Sequence, residues 1–169
     1  GIMVGLLHND LPIAGGLSLP FFGEIYSAEK DEGAYCNGKR ISVSSETKLQ
    51  NALVAYGIDG HQEDPQLTYE ESKTLAEIIL GIRNLRTTNS AFDIAQIAKG
   101  TLGVLLNKTT KIWDNVAPQI IIEEAGGLYT DYFGNPMNYK NALNRTEENF
   151  TMCAGAPQLH EQIKRIVNG

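Results

Sequence analysis

Residues 102–132 read LGVLLNKTTKIWDNVAPQIIIEEAGGLYTDY, and the change of rhythm inside this stretch sets the fold class. Leu102 to Leu106 is a short continuous apolar run, the pattern of a buried strand. Trp113-Asp114 opens a helix through Ile120, Ile121 and Glu124, and Gly126-Gly127 closes it. Leu128 to Tyr132 reads as the next strand, ended by Gly134-Asn135-Pro136. Strand, helix and strand in succession predict an α/β sheet with helices covering its faces.

The same rhythm extends in both directions. Downstream, Phe150 to Ala154 is a strand, and Pro157 starts a terminal helix bearing Leu159, Ile163, Ile166 and Val167. Upstream, a helix from about Asn89 to Lys99 carries Ala91, Ile94, Ala95 and Ala98 in helical spacing, with Gly100 as terminator. Leu53 to Tyr56 is a strand ending at Gly57. Thr68-Tyr69-Glu70-Glu71 has the capping-box pattern and predicts a helix presenting Leu75, Ile78 and Ile79. Before residue 47 the pattern differs. Ile2 to His8 reads as a buried strand, Asn9-Asp10 as a turn, and Gly15-Gly16 and Pro20 as interruptions. Asn37-Gly38, the pair most favoured in a type I′ turn, joins Ala34-Tyr35-Cys36 to Lys39-Arg40-Ile41. The expected architecture is α/β (α+β layered): an antiparallel sheet over residues 1–46, then a mixed sheet covered by helices over residues 47–169.

The chain has 169 residues and a formal net charge of −6. A chain of this length buries about 70% of its extended-state surface, so it needs no disulfide or structural metal to fold. An acidic protein has no general attraction for nucleic acid or an anionic membrane, and neither is expected as a partner. An anionic substrate would have to be attracted by a metal ion or by helix N-termini. Cys36 and Cys153 are too few for a zinc cluster or a disulfide framework and read as small buried residues. His8, His61 and His160 share no metal-ligand spacing. With no signal peptide and no membrane span in the sequence, the three Asn-x-Thr sequons (at Asn107, Asn144 and Asn149) are read as chance matches in a cytoplasmic protein. The chain opens inside an apolar run without an initiator Met: either a tag remnant precedes a genuine first strand, or the natural N-terminus has been lost.

Dinucleotide, P-loop, zinc-protease and nucleophile-elbow motifs are all missing, which leaves two helix starts as candidates for chemistry. At Thr88-Asn89-Ser90-Ala91, small and hydroxylated residues leave backbone N–H groups free for an anion; an ordinary N-cap explains the same residues. At Trp113-Asp114-Asn115-Val116-Ala117, Asp114 is either a cap or a metal-binding carboxylate. If it is the cap, the absent N–H of Pro118 leaves the Asp114 carbonyl without its first intrahelical bond.

Taken in order, these motifs resemble the inositol monophosphatase family of metal-dependent, lithium-sensitive phosphatases. Gly33-Ala34-Tyr35-Cys36-Asn37-Gly38 is similar to the family's Gly-Ala-Phe-x-Asn-Gly hairpin, and Trp113-Asp114-Asn115-Val116-Ala117 to its Trp-Asp-x-Ala. Glu123-Glu124-Ala125-Gly126-Gly127 matches the close of the following helix. The resemblance implies a sugar-phosphatase-like fold and hydrolysis of a phosphate monoester, with Mg²⁺ as cofactor and a small phosphorylated polyol or sugar as substrate. It makes Asp114 a metal ligand and packs Trp113 beneath the site in support. Asn89, Ser90 and Ala91 would contact the organic part of the substrate. Asn107 stands where the family often has a Glu that binds inositol hydroxyls, so it is a substrate-binding candidate without the charge. After Gly57, Ile58-Asp59 departs from the family's Phe-Pro.

The family's main metal-binding motifs, a Glu-Glu pair and Asp-Pro-Ile-Asp-Gly-Thr, have no counterpart in residues 1–169. The resemblance therefore implies the C-terminal part of a phosphatase, with the catalytic residues expected upstream of Gly1 and this chain inactive by itself. It also implies an unpaired strand edge in the first sheet, and a homodimer is compatible with it. Two alternatives stay open: a non-catalytic structural or regulatory module on the same scaffold, and fructose-1,6-bisphosphatase or nucleotide 3′-phosphatase activity within the superfamily.

Overall fold

A computed structural model describes residues 1–169. Five strands, β1 (Ile2–His8), β2 (Leu11–Leu19), β3 (Glu24–Glu29), β4 (Gly33–Cys36) and β5 (Lys39–Arg40), form an antiparallel meander in sequence order. Asn9 and Asp10 (φ 51° and 63°) and Asn37 and Gly38 (φ 48° and 74°) take the left-handed conformation that type I′ turns require.

Two readings of this region are corrected. Gly15-Gly16 does not interrupt the sheet, because β2 runs through both residues. A Cβ on Gly15 would come within 2.9 Å of the Ala117 carbonyl oxygen, so its absence lets the strand lie directly on a helix. Ile2 to His8 is a strand but is not buried. Met3 and Leu7 pack inward, while Ile2, Val4 and Leu6 on the alternate positions are exposed. Only one face of the sheet is covered, so the apolar run is buried on one side. β1 is also a free edge, paired with β2 alone. Its register shifts between Leu6 and Leu7, where Pro12 stands opposite without an N–H to give.

The second sheet contains β6 (Leu53–Gly57), β7 (Asn84–Arg86), β8 (Val104–Thr110), β9 (Leu128–Thr130) and β10 (Phe150–Gly155), in the order β7-β6-β8-β10-β9. β6 runs parallel to β7 and β8, whereas β10 is antiparallel to β8 and β9. The sheet is therefore mixed, as expected. β7 went unrecognised in the sequence because three residues with one apolar side chain show no alternation.

Four helices, α1 (Pro65–Gly81), α2 (Ala91–Ala98), α3 (Val116–Glu124) and α4 (Pro157–Val167), complete the layers. α2 and α3 lie between the two sheets and share their larger core, while α1 and α4 cover the far face of the second sheet. α3 buries most of its circumference, with Val116, Ala117, Ile120, Ile121 and Ile122 all buried, and leaves a polar stripe where Gln119 donates to Glu123 at 2.9 Å. At its end, Glu124 accepts the Asp31 and Gly33 backbone N–H groups at 2.8 and 2.7 Å, which fastens the β3–β4 turn to the helix.

The helix starts also differ from expectation. α1 begins at Pro65, three residues before Thr68, since Pro is pre-organised for a first helical position. The Thr68 hydroxyl accepts the His61 N–H instead of closing a capping box, and Glu71 turns inward to accept from the Tyr56 hydroxyl at 3.0 Å. Cys153 is buried as expected, but Cys36 is only partly so, and both are free thiols.

His160, 1% exposed, faces the Thr130 hydroxyl at 2.8 Å. Burial is the largest influence on it and holds its pKa below the ordinary 6.5 despite the opposing pull of Glu161. The unfolded chain therefore binds a proton at a higher pH than the folded one. The His160 contribution to stability should be flat above pH about 6.5 and fall as pH drops below it, and His160→Gln should remove that part of the slope. Thermal midpoints at pH 5.5 and 7.5 for the two proteins provide the check; equal slopes would contradict it.

Candidate active-site cavity

The candidate site is built where β8 hands over to α3. Asn115, fully buried, donates to the Lys111 carbonyl at 2.5 Å and to the Thr110 hydroxyl at 2.9 Å, and accepts from the Tyr129 hydroxyl at 2.9 Å. Thr110 in turn donates to the Phe150 carbonyl of β10 at 2.9 Å. This network holds a short 3₁₀ turn, Ile112–Asp114, ahead of α3. The expected helix start at Trp113-Asp114 is thus displaced to Val116. Pro118 has no N–H to give the Asp114 carbonyl, and the first bond of the helix runs from Gln119 to the Asn115 carbonyl. Asn115→Ala should cost about 1–3 kcal/mol, since it strands buried partners. Urea denaturation measures this, and an unchanged midpoint would show that the network carries no weight.

Asp114 sits at the end of that turn, with Oδ2 accepting the Lys111 N–H at 3.0 Å. It lines a cavity of about 340 Å³ together with Asn89, Ser90, Ala91, Asn107, Thr109 and Thr110. The structure therefore brings Asn89, Ser90, Ala91, Asn107 and Asp114 to one place from three separate segments. Trp113 does not pack beneath the cavity: it is 56% exposed, because the 3₁₀ turn swings it outward. A wider groove of about 660 Å³ crosses the uncovered face of the first sheet, but none of these candidate residues lines it.

At the α2 start, Ser90 is the N-cap. Its N–H and hydroxyl both donate to Asp93 Oδ2, at 2.8 and 3.0 Å, and the Thr88 hydroxyl donates to Asp93 Oδ1 at 2.5 Å. The helix thus begins two residues after Asn89, and Ser90 spends its donors on its own cap. The N–H groups of Ala91 and Phe92, which have no intrahelical carbonyl to bond, and the Asn89 side chain remain. Asp93 was missed in the sequence, although Ser90-x-x-Asp93 is the capping-box spacing that reveals it.

Asn107 is 1% exposed; its Oδ1 accepts the Thr109 N–H at 2.6 Å, and its Nδ2 has no partner within the chain. Gly57 makes the room for it, since a Cβ there would overlap that amide nitrogen. The Thr109 hydroxyl bonds the Asp59 carboxylate, which links the loop after β6 to the cavity rim. Thr109, Gly57 and Asp59 were not identified from sequence, because their roles depend on β6 and β8 lying side by side.

Nowhere in the chain do three His, Cys, Asp or Glu side chains come together as a metal site. Asp114 offers one carboxylate, half of it already engaged, so these residues do not fit Mg²⁺ on their own. No helix is long and apolar enough to cross a membrane.

Comparison with known proteins gives a consistent picture. A family model described as the inositol monophosphatase family matches residues 1–168. A fructose-1,6-bisphosphatase/inositol-1-monophosphatase of Aquifex aeolicus (strain VF5) is 30% identical over 166 residues, covering 98% of this chain and 58% of the relative. An inositol-1-monophosphatase of Bacillus subtilis (strain 168) is 26% identical, over 96% and 58% of the two chains. Among solved structures, an inositol monophosphatase from Anabaena (Nostoc) sp. PCC 7120 superposes with a TM-score of 0.83 at 27% identity, over 98% of this chain and 62% of that one. The chain thus spans 58% of the length of each of these two curated relatives.

Proposed function

The chain belongs to the inositol monophosphatase family, and from that premise we propose that it supplies the substrate-facing half of a Mg²⁺-dependent phosphatase site acting on a small phosphorylated polyol or sugar. The observation that carries this reading is the single cavity lined by Asp114, Asn107 and the α2 start. Asp114 would be one carboxylate of the metal site, completed by ligands outside residues 1–169. The N–H groups at the start of α2 and the Asn89 and Asn107 amides would bind and orient the organic part of the substrate. Because one carboxylate does not make an octahedral site, the 169-residue chain alone is proposed to be inactive. Calorimetry with the isolated chain should then find no Mg²⁺ binding below the millimolar range, and tight binding would contradict this.

The relative from Aquifex aeolicus is named for both fructose 1,6-bisphosphate and inositol 1-phosphate hydrolysis, which keeps both substrates in the proposal. The test is a panel of inositol 1-phosphate, fructose 1,6-bisphosphate and a nucleotide 3′-phosphate, offered to the natural protein that contains this chain. Asn107→Glu should raise the inositol phosphate rate relative to the others, and hydrolysis of none of the three would sink the proposal. Two free thiols suit a reducing compartment, so a cytoplasmic location is part of the same reading. So is a homodimer, to be tested by light scattering.

A further inference from the structure

α1 carries apolar residues on two faces, and the fold covers one of them. Leu75, Ile78 and Ile82 turn inward onto the core beneath the second sheet. On the opposite side Tyr69, Ala76 and Leu80, at i, i+7 and i+11, form an exposed stripe, with Tyr69 68% and Leu80 83% open. α4 covers the same face of the sheet, and its exposed positions are the polar Gln158, Glu161 and Arg165. The candidate cavity does not account for the stripe. Leu105 and Asn107 of β8 line that cavity, whereas Leu106 between them joins the core that Ile78 shares on the other face of the sheet. Ligands completing the cavity would therefore lie across the second sheet from α1.

The stripe is self-complementary about Ala76. Four residues before and after it stand Ser72 and Leu80, small against large. Seven residues before and after stand Tyr69 and Arg83, an aromatic ring against a cation. Glu70 adjoins Tyr69, and the three ion pairs of the chain include none of Glu70, Lys73 or Arg83. Ser72, Ala76 and Leu80 also form one i±4 ridge, the kind that packs most often between helices, and the small Ala76 at its centre permits close approach.

We propose that the outer face of α1 docks a second copy of this chain, the two helices running antiparallel about a two-fold axis at Ala76. Leu80 then covers the partner's Ser72, and Arg83 meets the partner's Tyr69 and the partner's Glu70. This gives the homodimer a face and does not depend on the phosphatase reading. One 17-residue helix offers less than the roughly 800 Å² per partner of a stable interface, so association should rise with concentration.

Identical residues meet only on a two-fold axis, which supplies the test. In the 169-residue chain, Ala76→Cys should form a disulfide-linked dimer on mild oxidation. Ser72→Cys should not, because its two copies would stand more than about 7 Å apart. The wild type, with Cys153 buried and Cys36 partly so, sets the background. Equal cross-linking at positions 72 and 76, or none above background, would overturn the proposal. In sedimentation of the natural protein, Leu80→Asp should raise the dimer dissociation constant about tenfold or more. Its thermal midpoint should not move, since the side chain is exposed. Arg83→Glu should weaken the dimer, and adding Glu70→Arg should restore it. A protein that stays monomeric at every concentration, or a dimer indifferent to Leu80→Asp, would overturn the proposal. Either result leaves the phosphatase reading intact, because phosphate release is measured separately.

Discussion

With Asp114 as the metal ligand proposed above, Asp114→Asn in the natural protein should lower kcat for phosphate release by about 100-fold or more, because losing such a ligand would cost at least as much as losing one that orients it. The fold should survive. Asp114 lies at the end of a 3₁₀ turn and accepts a single N–H, from Lys111 at 3.0 Å. The amide oxygen of Asn can accept the same bond, as it does at helix caps. The thermal midpoint should therefore stay near that of the wild type while activity disappears. A variant that unfolds would mean that the carboxylate acts mainly as a cap, and one that keeps full activity would remove Asp114 from the proposed site.

The largest stability effect is expected at Ile121, which is fully buried on the helix between the two sheets. Ile121→Ala deletes methyl groups from a position enclosed on all sides, where little can collapse into the gap. The loss should be about 2–5 kcal/mol. Leu143→Ala, at a side chain 91% exposed, is the control and should change stability by less than about 0.5 kcal/mol. Urea denaturation of both variants measures the contrast, and similar small losses would contradict the layered core.

Much of this fold was legible because its signals are local. The Asn37-Gly38 turn, the apolar α3 closed by Gly126-Gly127, and the alternation of strand and helix after residue 47 each sit within a few consecutive residues. The departures have one physical origin: they depend on what lies across the fold. Ile2, Val4 and Leu6 look buried until it is known that only one face of the first sheet is covered. Gly15 looks like a breaker until α3 is seen pressed against it. Thr68 and Glu71 have capping-box spacing, but Pro65 and the Tyr56 hydroxyl claim the local geometry first.

The site shows the same division. Asp114 and Asn107, which line one cavity, were proposed from their place in an ordered series of motifs. Asn115, Thr109 and Gly57 were not, because their contribution is the packing of β6, β8 and β9 around a turn. The outward orientation of Trp113 likewise follows from the 3₁₀ turn and Pro118, which local helix patterns did not resolve.

The most direct test of the central claim is phosphate release from inositol 1-phosphate by the natural protein, assayed with Mg²⁺ and then with excess EDTA. Metal-dependent hydrolysis at the Asp114 cavity predicts release with Mg²⁺, none after chelation, and recovery when Mg²⁺ is restored. Release that continues undiminished in EDTA would contradict it.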